Sequence, residues 1–240
     1  MTLRVPLQGM QLDAPRLELP AATSHYLRRV RRLTDGAVVV AFDGRGHEID
    51  ACLTLSGPVD TLVPCGPLRT TTERPRVRLL YALPKGEKVD DILRPCTELG
   101  VTDFVLFAAE RSVVHLDDPE RAHRKMERWQ RVVEAAARQS GRADVPTLRG
   151  PLSLSEALES VGDDPLRLVL DPKGDCAWST LPRLTPATVI VGPEGGLSPR
   201  ELLACDRSGF SRVPLGCPIL RTETAAIVGP TLLLAHVGAL

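Results

Sequence analysis

The stretch VIVGPEGGLSPREL, residues 189–202, decides how this chain is read. An apolar, β-branched run enters a turn holding Gly192, Gly195 and Gly196, then leaves through Ser198-Pro199-Arg200-Glu201, a capping box with proline at the first helical position. The order is strand, glycine turn, helix. Such a turn often cradles phosphate, because unpaired N–H groups and the helix dipole face the ligand. The residues point elsewhere: the loop has no lysine and fits neither G-x-x-x-x-G-K-[ST] nor G-x-G-x-x-G, and Glu194 sets a carboxylate where a phosphate would be repelled. A phosphate-free or cationic ligand fits better. Glycines let backbone approach a flat ring closely, so an adenosine-type cofactor bearing a positive sulfonium meets the conditions. From this loop alone, a tight turn with no ligand is an equal alternative.

A second stretch, VPLGCPILRTETAA (213–226), repeats the order, with a helix start at Thr222 or Glu223. Ile219 and Leu220 are apolar residues in a loop, which pocket walls would explain. Arg221, Thr222, Glu223 and Thr224 crowd four polar groups at a helix N-terminus. Thr222 as a plain cap, with Arg221 and Glu223 solvated, is the simpler alternative.

Around these loops, strands and helices alternate from residue 77 onward. Short apolar runs at 77–83, 103–109, 166–171 and 187–192 read as strands buried on both faces of a parallel sheet. Residues 118–141 read as a helix capped by Asp118 and ended at Gly141, with Ala122, Met126, Trp129, Val133 and Ala136 as its core stripe. Pro95 and Pro230 fall inside expected helices, at about 3 kcal/mol each, and predict kinks or breaks. The first 70 or so residues are β-rich. AVVVAF (37–42) and EIDACLTL (48–55) read as a hairpin, and LRTTTERPR (68–76) as a linker. In SHYLRRVRRL (24–33), Tyr26, Leu27, Val30 and Leu33 share one helical face while Arg28, Arg29, Arg31 and Arg32 fan outward.

At 240 residues and 43% hydrophobic, the chain can bury one large core or two smaller ones. Thirty basic and thirty acidic side chains cancel, so any basic site must be local. The strong bias to arginine over lysine reflects either a bidentate grip on phosphate or a GC-rich genome. Six cysteines, at 52, 65, 96, 176, 205 and 217, form no C-x-x-C pair and read as reduced, mostly buried thiols. With the histidines they make no metal-ligand spacing, so no metal is expected. No apolar run approaches a membrane span and MTLRVPLQGM has no signal pattern, so a cytoplasmic location is expected.

Together, VGPEGGLSPREL and LGCPILRTETAA resemble the signature loops of the SPOUT methyltransferases, specifically the RsmE family that methylates small-subunit ribosomal RNA. LPKGEKVDDILRPCTELGV (83–101), ERSVVHL (110–116) and ERWQRVVEAAARQSGRADVP (127–146) look like its central blocks. SHYLRRVRRLTDGAVVVAFDGRGHE (24–48) looks like its N-terminal barrel, so the resemblance covers nearly the whole chain. Pro95 and Gly229-Pro230 depart from the pattern.

The resemblance implies an α/β fold class: a PUA-like RNA-binding β-barrel over residues 1–72, then a SPOUT trefoil-knot methyltransferase domain over 73–240. It implies S-adenosylmethionine as cofactor, a homodimer with the active site near the interface, and methylation of uridine N3 in 16S ribosomal RNA of the small ribosomal subunit. Cofactor contacts carry over to Leu170 and Asp171, and to Gly192, Pro193, Glu194, Gly195 and Gly196 of the first loop. From the second they carry over to Leu215, Gly216, Ile219, Leu220, Arg221, Thr222, Thr224 and Ala225. Uracil N3 must lose its proton to become a good nucleophile, which makes Arg221 the candidate for stabilising the developing anion and Glu223 a weaker candidate base. RNA contacts fall to Arg28, Arg29, Arg31 and Arg32 in the barrel and to Arg111, Gln139 and Arg142 in the catalytic domain. The alternatives are a SPOUT enzyme acting on transfer RNA or another base position, and a non-catalytic RNA-binding ribosome-assembly protein.

Overall fold

Residues 47–54 read HEIDACLT, and their side chains alternate between half-buried and buried, with Ile49, Ala51 and Leu53 facing inward. This period of two marks a sheet with one covered face. The computed structural model describes residues 2–71, 74–84, 88–112, 118–216 and 218–240. The chain forms two units, residues 1–73 with 137–145, and residues 74–136 with 146–240. Gln139 and Arg142, expected in the catalytic domain, pack in the first of these units.

The first unit is a six-stranded sheet of β1 (Arg4–Pro6), β2 (Leu17–Glu18), β3 (Val38–Phe42), β4 (His47–Thr54), β5 (Thr61–Pro64) and β6 (Arg69–Thr70), in the order β1-β3-β4-β5-β2 with β6 on β4. β3 and β4 form the expected hairpin. β6 occupies the start of the expected linker, because Arg69 holds Glu48 and Asp50 across the strand pair. The expected single helix at 24–33 is instead α1 (Ala21–His25) running into a π turn over Tyr26–Val30. That wider turn breaks the predicted face: Leu27 is buried while Val30 is exposed.

The second unit is a parallel sheet of β7 (Val77–Ala82), β8 (Asp103–Ala108), β9 (Thr147–Ser153), β10 (Leu166–Leu170), β11 (Ala187–Val191) and β12 (Ser211–Val213), ordered β12-β10-β11-β7-β8-β9. Its helices are α2 (Val89–Leu99), α3 (Pro119–Gln139), α4 (Leu154–Glu159), α5 (Pro199–Arg207) and α6 (Thr222–His236). α2 and α6 pack together and α6 lies on β7 and β11, while α4 meets β8, β9 and α5. Asp118 caps α3 by accepting from Glu120 N, and Trp129, Val133 and Ala136 are buried as the stripe requires.

Breaks at Pro95 and Pro230 do not occur: α2 and α6 run through them. At Pro230 the physical reason is local. Proline has no N–H for the carbonyl of Ala226, four residues earlier, and the Cys96 thiol of α2 donates to that oxygen at 3.2 Å instead. Burial pushes the Cys96 thiol up to about 12, which keeps it protonated and a donor. Gly229, beside it, lets α6 approach the sheet: an added Cβ would stand 2.6 Å from Leu170 Cδ1. The expectation of mostly buried cysteines is also corrected. Cys96 and Cys205 are buried, whereas Cys52 and Cys176 are half-buried and Cys65 is exposed. Cys217 lies outside the described residues.

Candidate functional site

β10, β11 and β12 are neighbours in the sheet and all parallel, so their carboxyl ends open on the same side. The segments that follow them, beginning at Asp171, Gly192 and Pro214, surround one cavity of about 370 Å³. That is a usual size for a small-molecule site, roughly 300–1,000 Å³. Its walls are glycine backbone from the first loop and apolar side chains, including Leu170, Leu202, Leu215 and Leu220. Asp171 and Glu194 are the charged side chains on its lining among the described residues.

The first loop is held from beneath. Ser198 and Glu201 form the capping box, and the second Glu201 oxygen accepts from Glu110 N at 2.8 Å, tying the segment after β8 to the loop. Glu201 is buried, and its two backbone donors satisfy the carboxylate. From the other side, Arg111 Nη1 donates to Gly195 O at 2.7 Å. Gly196 has φ +67°, a left-handed conformation that glycine adopts without strain. The two loops meet where Thr222 Oγ1 donates to Gly192 O at 2.6 Å. Trp178 Nε1 donates to Pro214 O at 3.0 Å and pins the segment after β10 against the second loop.

Of the residues expected to contact a cofactor, all but Arg221 and Thr224 line the cavity. Arg221 is the residue preceding α6, exposed at the mouth, and Thr224 is exposed on the first turn of that helix. Glu223 differs from its expected role. Its Oε1 lies 2.5 Å from Lys88 Nζ, and Lys88 with the local backbone N–H holds the carboxyl below the usual carboxylate range. A carboxylate that releases its proton so readily is a poor base for uracil N3.

Several residues of the site were not legible as such. Lys88, from the turn before α2, comes to Glu223 and to within 3.9 Å of Glu194, so the loop without a lysine borrows one from elsewhere in the chain. Tyr81 is fully buried on β7 with its hydroxyl at Thr222, and burial, together with the nearby Glu223 and Glu194, pushes its phenol up. Residues 85–87 and 113–116 of the family-like blocks lie outside the described residues.

The candidate RNA contacts separate into two sets. Arg29, Arg31, Arg32 and Gln139 are exposed. Arg28 is exposed as well, but its guanidinium is engaged by Asp60, which Ser24 also approaches. Arg142 is corrected, since it is 2% exposed and paired with Asp144, a position from which it cannot meet a phosphate. Arg111 serves the loop carbonyl described above.

Residues 72–233 match the model of the RNA methyltransferase domain, and residues 19–58 match that of the RNA methyltransferase PUA domain. A "Ribosomal RNA small subunit methyltransferase E" of Synechocystis sp. is 35% identical, over 100% of this chain and 78% of that protein. The chain belongs to the ribosomal RNA small subunit methyltransferase E family. The fold class expected from the resemblance stands, a PUA-like β unit ahead of a SPOUT methyltransferase domain. Two solved relatives each cover 98% of this chain and are covered to 98% by it. One is a putative methyltransferase of Legionella pneumophila in complex with the bound cofactor SAM, with 30% identity and TM-score 0.87. The other is the ribosomal RNA small subunit methyltransferase E of Neisseria gonorrhoeae bound to S-adenosyl methionine, with 28% identity and TM-score 0.86.

Proposed function

We propose that this chain transfers the methyl group of S-adenosylmethionine to N3 of a uridine in 16S ribosomal RNA of the small ribosomal subunit. The observation that carries the reading is the cavity between the two loops, whose charged lining side chains among the described residues, Asp171 and Glu194, are both acidic. Carboxylates favour a sulfonium and repel a triphosphate, and the backbone of Gly192, Gly195 and Gly196 leaves room for a flat ring. The resemblance of both loops to the family, and the cofactor in the two solved relatives, support the same ligand.

The cofactor supplies an electrophilic methyl group, and the residues around it do the rest. The leucine walls exclude water. The glycine loop, braced by Glu201 and Arg111, holds its backbone fixed for binding. The N3–H proton leaves to solvent water at the mouth, and the uracil anion that remains is the nucleophile toward that methyl group. Arg221, with no ion pair among the described residues, is the group at the mouth that can meet the negative charge on a uracil carbonyl oxygen. Arg29, Arg31, Arg32 and Gln139 of the first unit supply phosphate and sugar contacts that position the RNA. The resemblance of the chain to its family favours a homodimer. The reaction belongs to the cytoplasm, where ribosomal subunits are assembled, and no described helix is long and apolar enough to cross a membrane.

The test is single-turnover transfer of a labelled methyl group to small ribosomal subunits prepared without the modification, with the product nucleoside identified. Calorimetry accompanies it: S-adenosylhomocysteine is expected to bind and ATP is not. Tighter binding of ATP, or no transfer to any RNA, would overturn the reading.

A further inference from the structure

Three charged side chains meet at the mouth of the cavity without belonging to one stretch of sequence. Lys88 precedes α2, Glu194 sits in the first loop, and Glu223 opens α6. Lys88 Nζ lies 2.5 Å from Glu223 Oε1 and 3.9 Å from Glu194 Oε1. The other Glu223 oxygen is buried and has no hydrogen-bond partner among the described residues. Arg221, two residues before Glu223, is close enough to act on both Lys88 and Glu223 electrostatically, yet it forms no ion pair among the described residues. A half-buried carboxylate beside a guanidinium that has no ion pair among the described residues would ordinarily capture it, because a charge-assisted pair satisfies both groups.

We propose that Lys88 is a positioning residue for methyl transfer: by occupying Glu223 and bridging it toward Glu194, it joins the two loops and keeps Arg221 free for the reacting base. This inference rests on the role given to Arg221 above. Lys88 acts through its neighbours and needs no contact with substrate. Its ammonium satisfies the exposed side of Glu223, and its pull toward Glu194 keeps the carboxylate turned away from Arg221. Without Lys88, Arg221 is the remaining cation that acts on Glu223 among the described residues, and a guanidinium held in an ion pair is lost to the developing uracil anion. The same arrangement explains why Glu223 is ionised without being the base.

Three variants separate this role from simple support of the fold. In single-turnover transfer, Lys88→Met is expected to slow the reaction by an amount approaching the loss of Arg221 itself, about 10²–10³-fold, while binding S-adenosylhomocysteine within a few-fold of wild type. Lys88→Arg is expected to restore most of the rate. The decisive variant is Lys88→Met combined with Glu223→Gln, which removes the competing carboxylate and is expected to transfer faster than Lys88→Met alone. Wild-type rates in Lys88→Met, or a double variant no faster than the single one, would overturn the proposal. A crystal structure of Lys88→Met reads the geometry without turnover: a Glu223–Arg221 ion pair is expected, and Arg221 left unpaired would overturn the proposal. If the wild-type protein transfers to no RNA, that failure belongs to the functional reading, and the crystal structure still decides the placement of Arg221.

Discussion

Arg221, the residue before α6, forms no ion pair among the described residues, and single substitutions test the role proposed for it. Arg221→Ala is expected to bind cofactor and RNA within a few-fold of wild type while methyl transfer falls by about 10²–10³. Arg221→Lys should recover only part of the rate, because a point charge does not reproduce the planar fork. Single-turnover rates with parallel calorimetry separate the two effects. Gly196 tests the loop itself. At φ +67° any other residue is strained by about 1–2 kcal/mol, so Gly196→Ala should weaken S-adenosylhomocysteine binding, and an unchanged affinity would mean that the turn tolerates the strain. Asp60 gives a residue-level handle on the first unit. The Arg28 guanidinium, then the Ser24 hydroxyl, lower its carboxyl to about 2, below the ordinary aspartate value near 3.9. The stability this contributes is complete above the unfolded value and is lost as pH falls through about 2. Asp60→Asn should therefore remove part of the loss of stability between roughly pH 4 and 2, read by circular dichroism during acid titration.

Among the elements, α6 shows how a sequence rule fails for a reason that lies in another helix. Pro230 costs a hydrogen bond at the Ala226 carbonyl, and the Cys96 thiol of α2 replaces it. Cys96→Ala should destabilise the protein by about 1–3 kcal/mol, the penalty for an orphaned buried carbonyl. The cost should shrink when Pro230→Ala returns the helical N–H, and urea titrations of the four proteins in this double-mutant cycle measure the coupling. The same distinction sorts what the sequence made legible. Strands β7, β8, β10 and β11 announced themselves as short apolar runs, and the capping box at Ser198 fixed the start of α5. β9 did not, because TLRGPLS carries glycine, proline and arginine on an edge strand with half-exposed side chains. The two loops were legible as a cofactor site because their own residues build the wall. Lys88, Tyr81 and the Arg28–Asp60 pair were not, since each acquires its meaning from a partner brought by the fold over a long sequence separation. Pattern along a chain reports what a residue is. It does not report which distant charge has already claimed it.

For the whole molecule, the exposed arginines proposed as RNA contacts give a prediction about salt. Replacing Arg29, Arg31 and Arg32 together should weaken RNA binding and flatten its salt dependence, by about 0.7–0.9 in logarithmic slope for each phosphate that is no longer neutralised. Arg28 is excluded from that set because it holds Asp60, and cofactor binding should survive the change. An unaltered affinity and slope in a filter-binding titration would mean that these arginines are only solvated. The first unit also closes around residues 137–145, which the chain supplies 64 positions after that unit's first stretch ends at Glu73. Ala143 and Arg142 of that return are buried, Arg4 donates to the Arg142 carbonyl, and Arg138 lies over the Tyr26 ring. A gene fragment that stops at codon 73 would encode the apolar core of the first unit, which is built from residues 5–62, without the segment whose carbonyl Arg4 holds. Recombination between relatives that exchanged only that fragment would join a barrel to another lineage's closing piece.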